Sequence, residues 1–512
     1  MSAAARLRRV ERRKRLAVDI RGALNIVGTL TKYLSLGTLL PAGVALGYGE
    51  TPWPFLVAGA IAGAVGWGLE RATLGDETIG AREGFLVVAL IWLVAAGIAA
   101  LPYVLAGEAQ LDNPVDAYFE GMSGFTTTGA TVLTDNEALS RSLLLWRQLT
   151  QWLGGIGIIV LALAVLPRLR VGGRQLLESE LPGPEIETLS TRIRDTARRI
   201  WLLYVGLTIV LAGILWLYAA TGVDDEMTGF DAVAHALTTI PTGGFSTRFR
   251  SIQEFGAATQ WTFVVFMILG GINFALLYRA LVRRHGRALL RDEELRLYVG
   301  VLAVGALVLG AQLMAEDIAS GEEAVRQAVF QAVAVTTTTG YSNTDYAIWP
   351  PLALMTVIGL MFMGASAGST SGSVKIVRHL LLGKILRREL DQTVHPEIIL
   401  PVRLNRKVVD ERTLRAVSAF ILLYIGLFIV GASLLALDAA RTGLDLSALE
   451  AVGAAASMLG NYGPALGFAG PLGSYEPFSD VSKLLMIALM WLGRLEIIPI
   501  AVLFTRHYWR NI

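Results

Sequence analysis

The sequence contains no cysteine, which excludes disulfides, thiolate metal sites and cysteine nucleophiles. Charge is scarce as well. Only 17% of the 512 residues are Asp, Glu, Lys or Arg, against about 25% in a soluble globular chain. Histidine is rarer still: His235, His285, His379, His395 and His507 are scattered at no spacing that suggests a metal site. The stretch from Arg6 to Arg15 is basic, but no short apolar core and no A-x-A cleavage site follow it. It therefore reads as a cytoplasmic tail, not a signal peptide. The net charge of +2 decides little, because the placement of charge matters more than its sum.

What the chain has is apolar sequence, 54% hydrophobic with a mean hydropathy of +0.55. It falls into many long runs, the pattern of a polytopic membrane protein. The first two runs, Ala23 to Tyr48 and Trp53 to Leu69, are joined by the short link Gly49-Glu-Thr-Pro52 and form a helical hairpin outside the pattern that follows. From about residue 84 a unit recurs four times. Each unit has an apolar helix, an acidic loop, a shorter half-apolar helix, a Gly/Thr strip and a second apolar helix ending in Arg and Lys. The short helices are expected at Pro114 to Ser123, Asp231 to Thr239, Ala324 to Val335 and Ser447 to Met458. At 1.5 Å per residue these are too short to cross a core about 30 Å thick, and suit re-entrant helices. The second long helices are expected at Leu143 to Leu166, Trp261 to Leu281, Leu352 to Leu382 and Ser482 to Leu503. The expected fold is an all-α polytopic membrane protein with an N-terminal hairpin, four helix–pore loop–helix repeats and about ten transmembrane helices. Its divisions are 1–80 for tail and hairpin, then 81–180, 181–290, 291–400 and 401–512 for the repeats.

Charge fixes an expected orientation. Arg168, Arg170 and Arg174 follow the first unit, and Arg192, Arg194, Arg198 and Arg199 precede the second. Arg279, Arg283, Arg284, Arg287 and Arg291 follow the second unit, Lys375, Arg378, Lys384, Arg387 and Arg388 the third, and Arg506 and Arg510 the fourth. The positive-inside rule puts these, and both termini, in the cytoplasm. The opposite loops carry Asp112, Asp116, Glu120, Asp224, Asp225, Glu226, Asp231, Glu316, Asp317, Glu322 and Glu323, an acidic external antechamber suited to a cation.

The chemistry sits in the four strips: Gly121-Met-Ser-Gly-Phe-Thr-Thr-Thr-Gly-Ala-Thr-Val132, Thr239-Ile-Pro-Thr-Gly-Gly-Phe-Ser246, Val335-Thr-Thr-Thr-Thr-Gly-Tyr-Ser342 and Leu459-Gly-Asn-Tyr-Gly-Pro-Ala465. Non-helical backbone at membrane depth is tolerated only where it is buried in protein or lines water. Glycine permits the angles that turn successive carbonyls inward, and rings of carbonyls can replace a monovalent ion's hydration shell. Each preceding short helix points the negative end of its dipole at the same spot. The strips themselves contain no carboxylate, which a hard divalent ion usually wants, so a monovalent alkali cation is the expected occupant. One Thr-Thr-Thr-Gly alone is ordinary packing material; four in register after four short helices are a repeat architecture.

Two more stretches have competing readings. Gly364, Gly368 and Gly372, with Ser366, Ser369, Thr370, Ser371 and Ser373, either loosen the second helix of the third unit or make a small-xxx-small packing seam. Arg494 is expected near the middle of the last helix, where an arginine needs water or a partner. It reads as a cation barrier beneath the strips, or as a structural ion pair or snorkelling side chain. Glu496 is two residues on and faces elsewhere. Lys375 reads equally as a gate residue or a positive-inside anchor. Asn273 and Asn461 read as helix hydrogen-bonders, Asn461 also buttressing the fourth strip.

These motifs, together with Gln151-Trp-Leu-Gly-Gly-Ile-Gly-Ile-Ile159, Gly270-Gly-Ile-Asn-Phe274, Gly364-Ala-Ser-Ala-Gly-Ser-Thr-Ser-Gly-Ser-Val-Lys375 and Gly493-Arg-Leu-Glu496, resemble the TrkH/KtrB/HKT superfamily of potassium transporters, most closely its bacterial TrkH/KtrB branch. The resemblance runs from about residue 20 to the end. It implies a pseudo-fourfold pore with a K⁺ filter of Thr127, Thr128, Gly129, Pro241, Thr242, Gly243, Thr338, Thr339, Gly340, Asn461, Tyr462 and Gly463. Matched motif by motif, its glycines are Gly129, Gly243, Gly340 and Gly463. Tyr462 and Ala365-Ser366 depart from the family's pattern. The resemblance further implies a gate made of Gly364, Gly368, Ser369, Thr370, Gly372, Lys375 and Arg494. It also implies channel-like K⁺ uptake in the bacterial cytoplasmic (inner) membrane, a homodimer with one pore per subunit, and a cytosolic TrkA/KtrA-like ring docked on the polar segments Pro182 to Arg199 and Leu390 to Arg412. Nucleotide is expected only on that partner; no covalent cofactor and no nucleic acid are expected. Na⁺- or H⁺-coupled symport, or a pore also passing Na⁺, is the alternative. An intramembrane hydrolase using Ser366 is the remote one, since such a site needs a histidine at the same depth, and His379 is thirteen residues away in the sequence.

Overall fold

The computed structural model describes residues 18–73, 80–164, 188–284 and 286–509. The tail from Arg6 to Arg15, Arg168, Arg170, Arg174, His285 and Arg510 lie outside the described residues, as do the side chains of Arg192 and Arg194.

The N-terminal hairpin is α1 (Ile20–Leu34) continued through a 3₁₀ turn into α2 (Leu39–Tyr48), then α3 (Trp53–Ala72). The first repeat is α4 (Ala81–Ala106), α5 (Pro114–Phe125) and α6 (Arg141–Ala164). The second is α7 (Thr188–Thr221), α8 (Gly229–Thr239), and α9 (Ala257–Gly271) with α10 (Phe274–Leu281). After a short α11 (Arg287–Arg291) come α12 (Glu293–Ala315), α13 (Gly321–Thr336), α14 (Pro351–Met361) and α15 (Ile376–Val394). A two-residue hairpin, β1 (Arg403–Leu404) with β2 (Lys407–Val408), leads to α16 (Glu411–Thr442), α17 (Ala448–Gly460), α18 (Asp480–Arg494), α19 (Ile498–Leu503) and α20 (Arg506–Trp509).

Among the described residues five helices are long and apolar enough to cross a membrane, and six if α9 and α10, bent by 111°, count as one span. The chain is a multi-pass membrane protein. Three of the second helices are broken. Two, in the second and fourth repeats, read from the sequence as unbroken runs, while loosening at the Gly/Ser stretch is one of the two readings of the third. The 261–281 run breaks at Ile272-Asn273, where Asn273 Oδ1 accepts from Leu276 N–H at 3.0 Å and starts a new helix. The 352–382 run is interrupted by an irregular loop over 362–375. The 482–503 run breaks after Arg494, where Glu496 and Ile497 adopt left-handed φ of 57° and 56°. Arg494 therefore ends α18 and is not a mid-helix residue.

The four short helices are α5, α8, α13 and α17, of 12, 11, 16 and 13 residues. Three of the four begin on a side-chain cap. Asn113 caps α5 at 2.9 Å, and Thr228/Asp231 and Ser447/Glu450 form reciprocal capping boxes, each satisfying orphan N–H groups. An apolar cluster around Leu309, Phe362 and Trp349 lies mostly within the third repeat, but the larger ones cross repeat boundaries. One apolar cluster joins the hairpin and first repeat to the fourth, through Phe55, Tyr103, Trp146, Tyr424 and Met490. Another joins the second and third through Tyr204, Phe263, Tyr298 and Tyr341.

Candidate ion pathway

Each short helix ends in the same backbone figure. The N–H groups of Thr128, Gly243, Thr339 and Tyr462 return to the carbonyls of Ser123, Thr238, Ala334 and Ser457 at 2.8–2.9 Å. The residue before each takes left-handed φ: Thr127 51°, Thr242 54°, Thr338 55° and Asn461 54°. The residue after each is a left-handed glycine: Gly129 83°, Gly244 84°, Gly340 77° and Gly463 106°. Four strips thus share one register.

They also close into a ring. A Cβ at Gly129 would strike the carbonyl of Gly243; one at Gly244, that of Thr339; one at Gly340, that of Tyr462; and one at Gly463, that of Thr128. Every glycine faces the neighbouring strip's carbonyl, and the fourth returns to the first. A vestibule opens onto Gly129, Gly244, Gly340 and Gly463 together. The second strip's ring glycine is therefore Gly244. Gly243, the expected one, sits one position earlier, lacks a positive φ, and presents its carbonyl where Thr128, Thr339 and Tyr462 present theirs. The adjacent Gly243-Gly244 pair made the motif match ambiguous by one residue.

Hydrogen bonds from behind hold the strips. Thr126 with Thr128 and Thr337 with Thr339 pair at 2.7 Å. Asn461 Nδ2 donates to Thr128 Oγ1 at 3.0 Å and to the Met490 carbonyl at 2.9 Å, tying the fourth strip to the first. The Gly463 carbonyl accepts from Ser457 Oγ and Tyr475 Oη, both at 2.8 Å. Pro241 keeps its carbonyl on Thr242 Oγ1 at 2.7 Å, and the Tyr462 ring turns away from the ring of carbonyls to meet Tyr346 Oη at 3.2 Å.

The 362–375 loop lies against three of the strips. Thr370 Oγ1 donates to the carbonyls of Ile240 (3.0 Å) and Gly270 (3.2 Å), and accepts from Thr242 at 3.2 Å. Gly372 N–H donates to Thr338 Oγ1 at 2.7 Å, and Gly372 abuts Gly460 and Asn461 so closely that a Cβ would not fit. Gly364 N–H bonds the Val374 carbonyl at 2.8 Å, closing the loop's base. Ser369 Oγ donates to the Ser366 carbonyl at 2.6 Å. The left-handed Gly368 packs on Asn273, whose Nδ2 holds the Ala367 carbonyl at 2.7 Å. Because Gly364, Gly368 and Gly372 do not share a helix, the packing-seam reading is set aside.

Two buried cations grip the loop. Arg494, 2% exposed, donates Nη1 to the Thr370 carbonyl at 2.8 Å. Lys375 Nζ donates to the Ser371 carbonyl and, at 3.2 Å, to Ser371 Oγ. Glu496 pairs with Arg378 at 2.5 Å. His379 spends Nε2 on the Phe362 carbonyl at 3.1 Å, which leaves Ser366 without the base a hydrolase needs.

The external acids divide in two. Asp112, Asp225, Glu226, Glu316, Asp317, Glu322 and Glu323 are exposed. Four others are buried and structural, and do not face an antechamber. Asp116 pairs with Lys483 (2.6 Å), Asp231 with Arg248 (2.8 Å), and Asp224 holds Gly256 N–H and Thr259. Glu120 is fully buried and pairs with Arg147 at 3.1 Å while accepting from Val132 N–H at 2.8 Å behind the first strip. Sequence reading missed Arg147 altogether; only its place in an apolar helix, where a charge needs a partner, could have flagged it.

The TrkH family, described as a cation transport protein, matches residues 55–510. The chain is 38% identical to the Trk system potassium uptake protein TrkH of Salmonella typhimurium, over 96% of this chain and all of that one. It is 34% identical to TrkG of Escherichia coli K12, over 96% of this chain and 99% of that one. Its fold is similar to the crystal structure of the potassium transporter TrkH from Vibrio parahaemolyticus, with a TM-score of 0.85, 33% identity, and 96% and 99% of the two chains covered. With its ring of four strips and the loop pressed against them, the chain belongs to the TrkH family of cation transport proteins.

Proposed function

We propose that this chain is the membrane subunit of a Trk-type potassium uptake system and conducts K⁺ through the ring of four strips. One observation carries the reading: four strips in one backbone register close on one another, glycine against carbonyl. Such a ring presents uncharged oxygens to an ion that sheds its water, and it contains no carboxylate to trap a divalent one. The filter comprises Thr127, Thr128, Gly129, Pro241, Thr242, Gly243, Gly244, Thr338, Thr339, Gly340, Asn461, Tyr462 and Gly463. The gate is the 362–375 loop, with Gly364, Gly368, Ser369, Thr370 and Gly372, held by Arg494 and Lys375. Two fixed cations beneath the ring oppose an arriving cation, and their bonds to successive carbonyls keep the loop under the strips.

The divisions 1–80, 81–180, 181–290, 291–400 and 401–512 serve as hairpin and repeats. The protein resides in the bacterial cytoplasmic membrane with both termini inside, as the placement of Arg and Lys supports. It works as a homodimer with a cytosolic nucleotide-binding ring on its basic face, and needs no cofactor of its own.

The test is flux into proteoliposomes of the purified protein under an imposed voltage, comparing K⁺, Rb⁺, Na⁺ and Li⁺, with Gly129→Ser alongside. Rapid K⁺ and Rb⁺ flux on voltage alone, with selectivity lost in the variant, is the expected result. Flux only with an added Na⁺ or H⁺ gradient would make it a coupled carrier.

A further inference from the structure

The second strip differs from the others in what stands behind it. Thr128 and Thr339 carry hydroxyls that pair with Thr126 and Thr337, and Tyr462 anchors its ring on Tyr346. The equivalent residue of the second strip is Gly243, which has no side chain to anchor. Its carbonyl is nonetheless held: Gln151 Nε2, from α6, donates to Gly243 O at 2.6 Å, and Gln151 Oε1 accepts from Phe245 N–H at 3.1 Å. One amide thus brackets Gly243-Gly244-Phe245 from behind. A carbonyl has two lone pairs, so Gly243 can accept from Gln151 and still offer oxygen to the ring.

The repeat pattern says that this amide is not there for packing. Gly154, Gly270 and Gly493 are equivalent, because a Cβ on each would meet the carbonyl of Phe125, Ile240 or Leu459, two residues before the left-handed residue of its own strip. Three positions before those glycines stand Gln151, Met267 and Met490, and three before Gly364 stands Met361. All four side chains are fully buried. Methionine fills the position in the second and fourth repeats, and in the third Met361 stands at the same spacing from Gly364. Only the helix that backs the bare Gly243 carries a glutamine, a side chain of similar length and shape. Gly243 is in turn shaped for it, since the three atoms nearest to a Cβ at 243 all belong to Gln151. A buried amide in place of methionine costs desolvation unless its bonds are made, and here both are.

We propose that Gln151 is a positioning residue for ion selectivity: its amide fixes the Gly243 carbonyl in the ring, supplying the anchor that the second strip lacks. This rests on the reading of the ring as a K⁺ filter. The experiment reconstitutes the full-length protein and measures the K⁺/Na⁺ permeability ratio from the zero-flux voltage, for wild type and Gln151→Met, which installs the residue of the second and fourth repeats. The expected result is a ratio lowered about tenfold, equivalent to about 1.4 kcal/mol, with K⁺ flux retained. A mere packing role would instead move the melting temperature and leave the ratio alone. A Gln151→Met protein with the wild-type ratio would overturn the proposal. Should that variant fail to fold, Gln151→Asn, which keeps the polarity but withdraws the amide by one methylene, decides by the same ratio. Wild-type protein without K⁺ preference would refute the filter reading itself, an outcome separate from an unchanged ratio in the variant.

Discussion

Gly129, Gly244, Gly340 and Gly463 each combine a left-handed backbone with a neighbour's carbonyl at the place of a side chain, so strain and collision act together there. Gly243 differs: the three atoms nearest to a Cβ on it all belong to the Gln151 side chain. Gly244→Ala is accordingly expected to abolish K⁺ flux, whereas Gly243→Ala keeps conduction and loses selectivity by displacing Gln151. Parallel flux measurements on the two variants check the register. Behind the first strip, Arg147→Met leaves Glu120 buried without its partner and is expected to cost about 3–5 kcal/mol. A thermal melt in detergent would read this as a large fall in midpoint, mostly recovered in Arg147→Met/Glu120→Gln. The strips themselves were legible because glycine and threonine stand out between apolar runs. The ring position within Gly243-Gly244 was not, since two adjacent glycines look alike until their φ angles are known. The Glu120–Arg147 pair was not either, since it spans 27 positions and Glu120 reads naturally as one more external acid.

Among the elements, the helix breaks matter most. The breaks in the second, third and fourth repeats put Asn273, the 362–375 loop and Arg494 into mutual reach beneath the ring. Arg494→Ala removes a buried charge and the bond to Thr370, and is expected to raise K⁺ flux severalfold without changing the K⁺/Na⁺ ratio. Asn273→Ala frees Ala367 and removes the cap of α10, which is worth about 1 kcal/mol. It is expected to raise flux in the same direction by less. Voltage-driven Rb⁺ uptake at fixed protein density measures both. The sequence showed the interruption of the third repeat through its run of Gly and Ser. It hid the other two breaks, because α9 with α10 and α18 with α19 are as apolar as continuous spans and hydropathy does not record direction. The Gly270-Gly271 pair followed by a capping Asn273 was the only local signal of the first.

At the scale of the molecule, the larger apolar clusters run across repeat boundaries, binding the first repeat to the fourth and the second to the third. Residues 81–290 expressed alone lack the fourth-repeat part of the cluster, including Tyr475, whose ring lies 5.8 Å from that of Phe119, and are expected to show no cooperative melt in detergent. The number of strips was legible, since a short helix followed by a glycine-bearing strip recurs four times. The interlocking of the repeats was not, because an apolar residue does not announce which neighbour it will meet.

The closed ring also bears on how such a protein changes over time. In a pore made of four identical subunits every substitution falls on all four walls at once, so a residue is either tolerated fourfold or lost. Here one chain supplies four walls that share a backbone and differ in side chains: a threonine pair, a glutamine clamp, a second threonine pair and a tyrosine anchor. Each wall can be altered by itself, so in the proposed filter ion preference becomes a quantity adjustable in quarter steps.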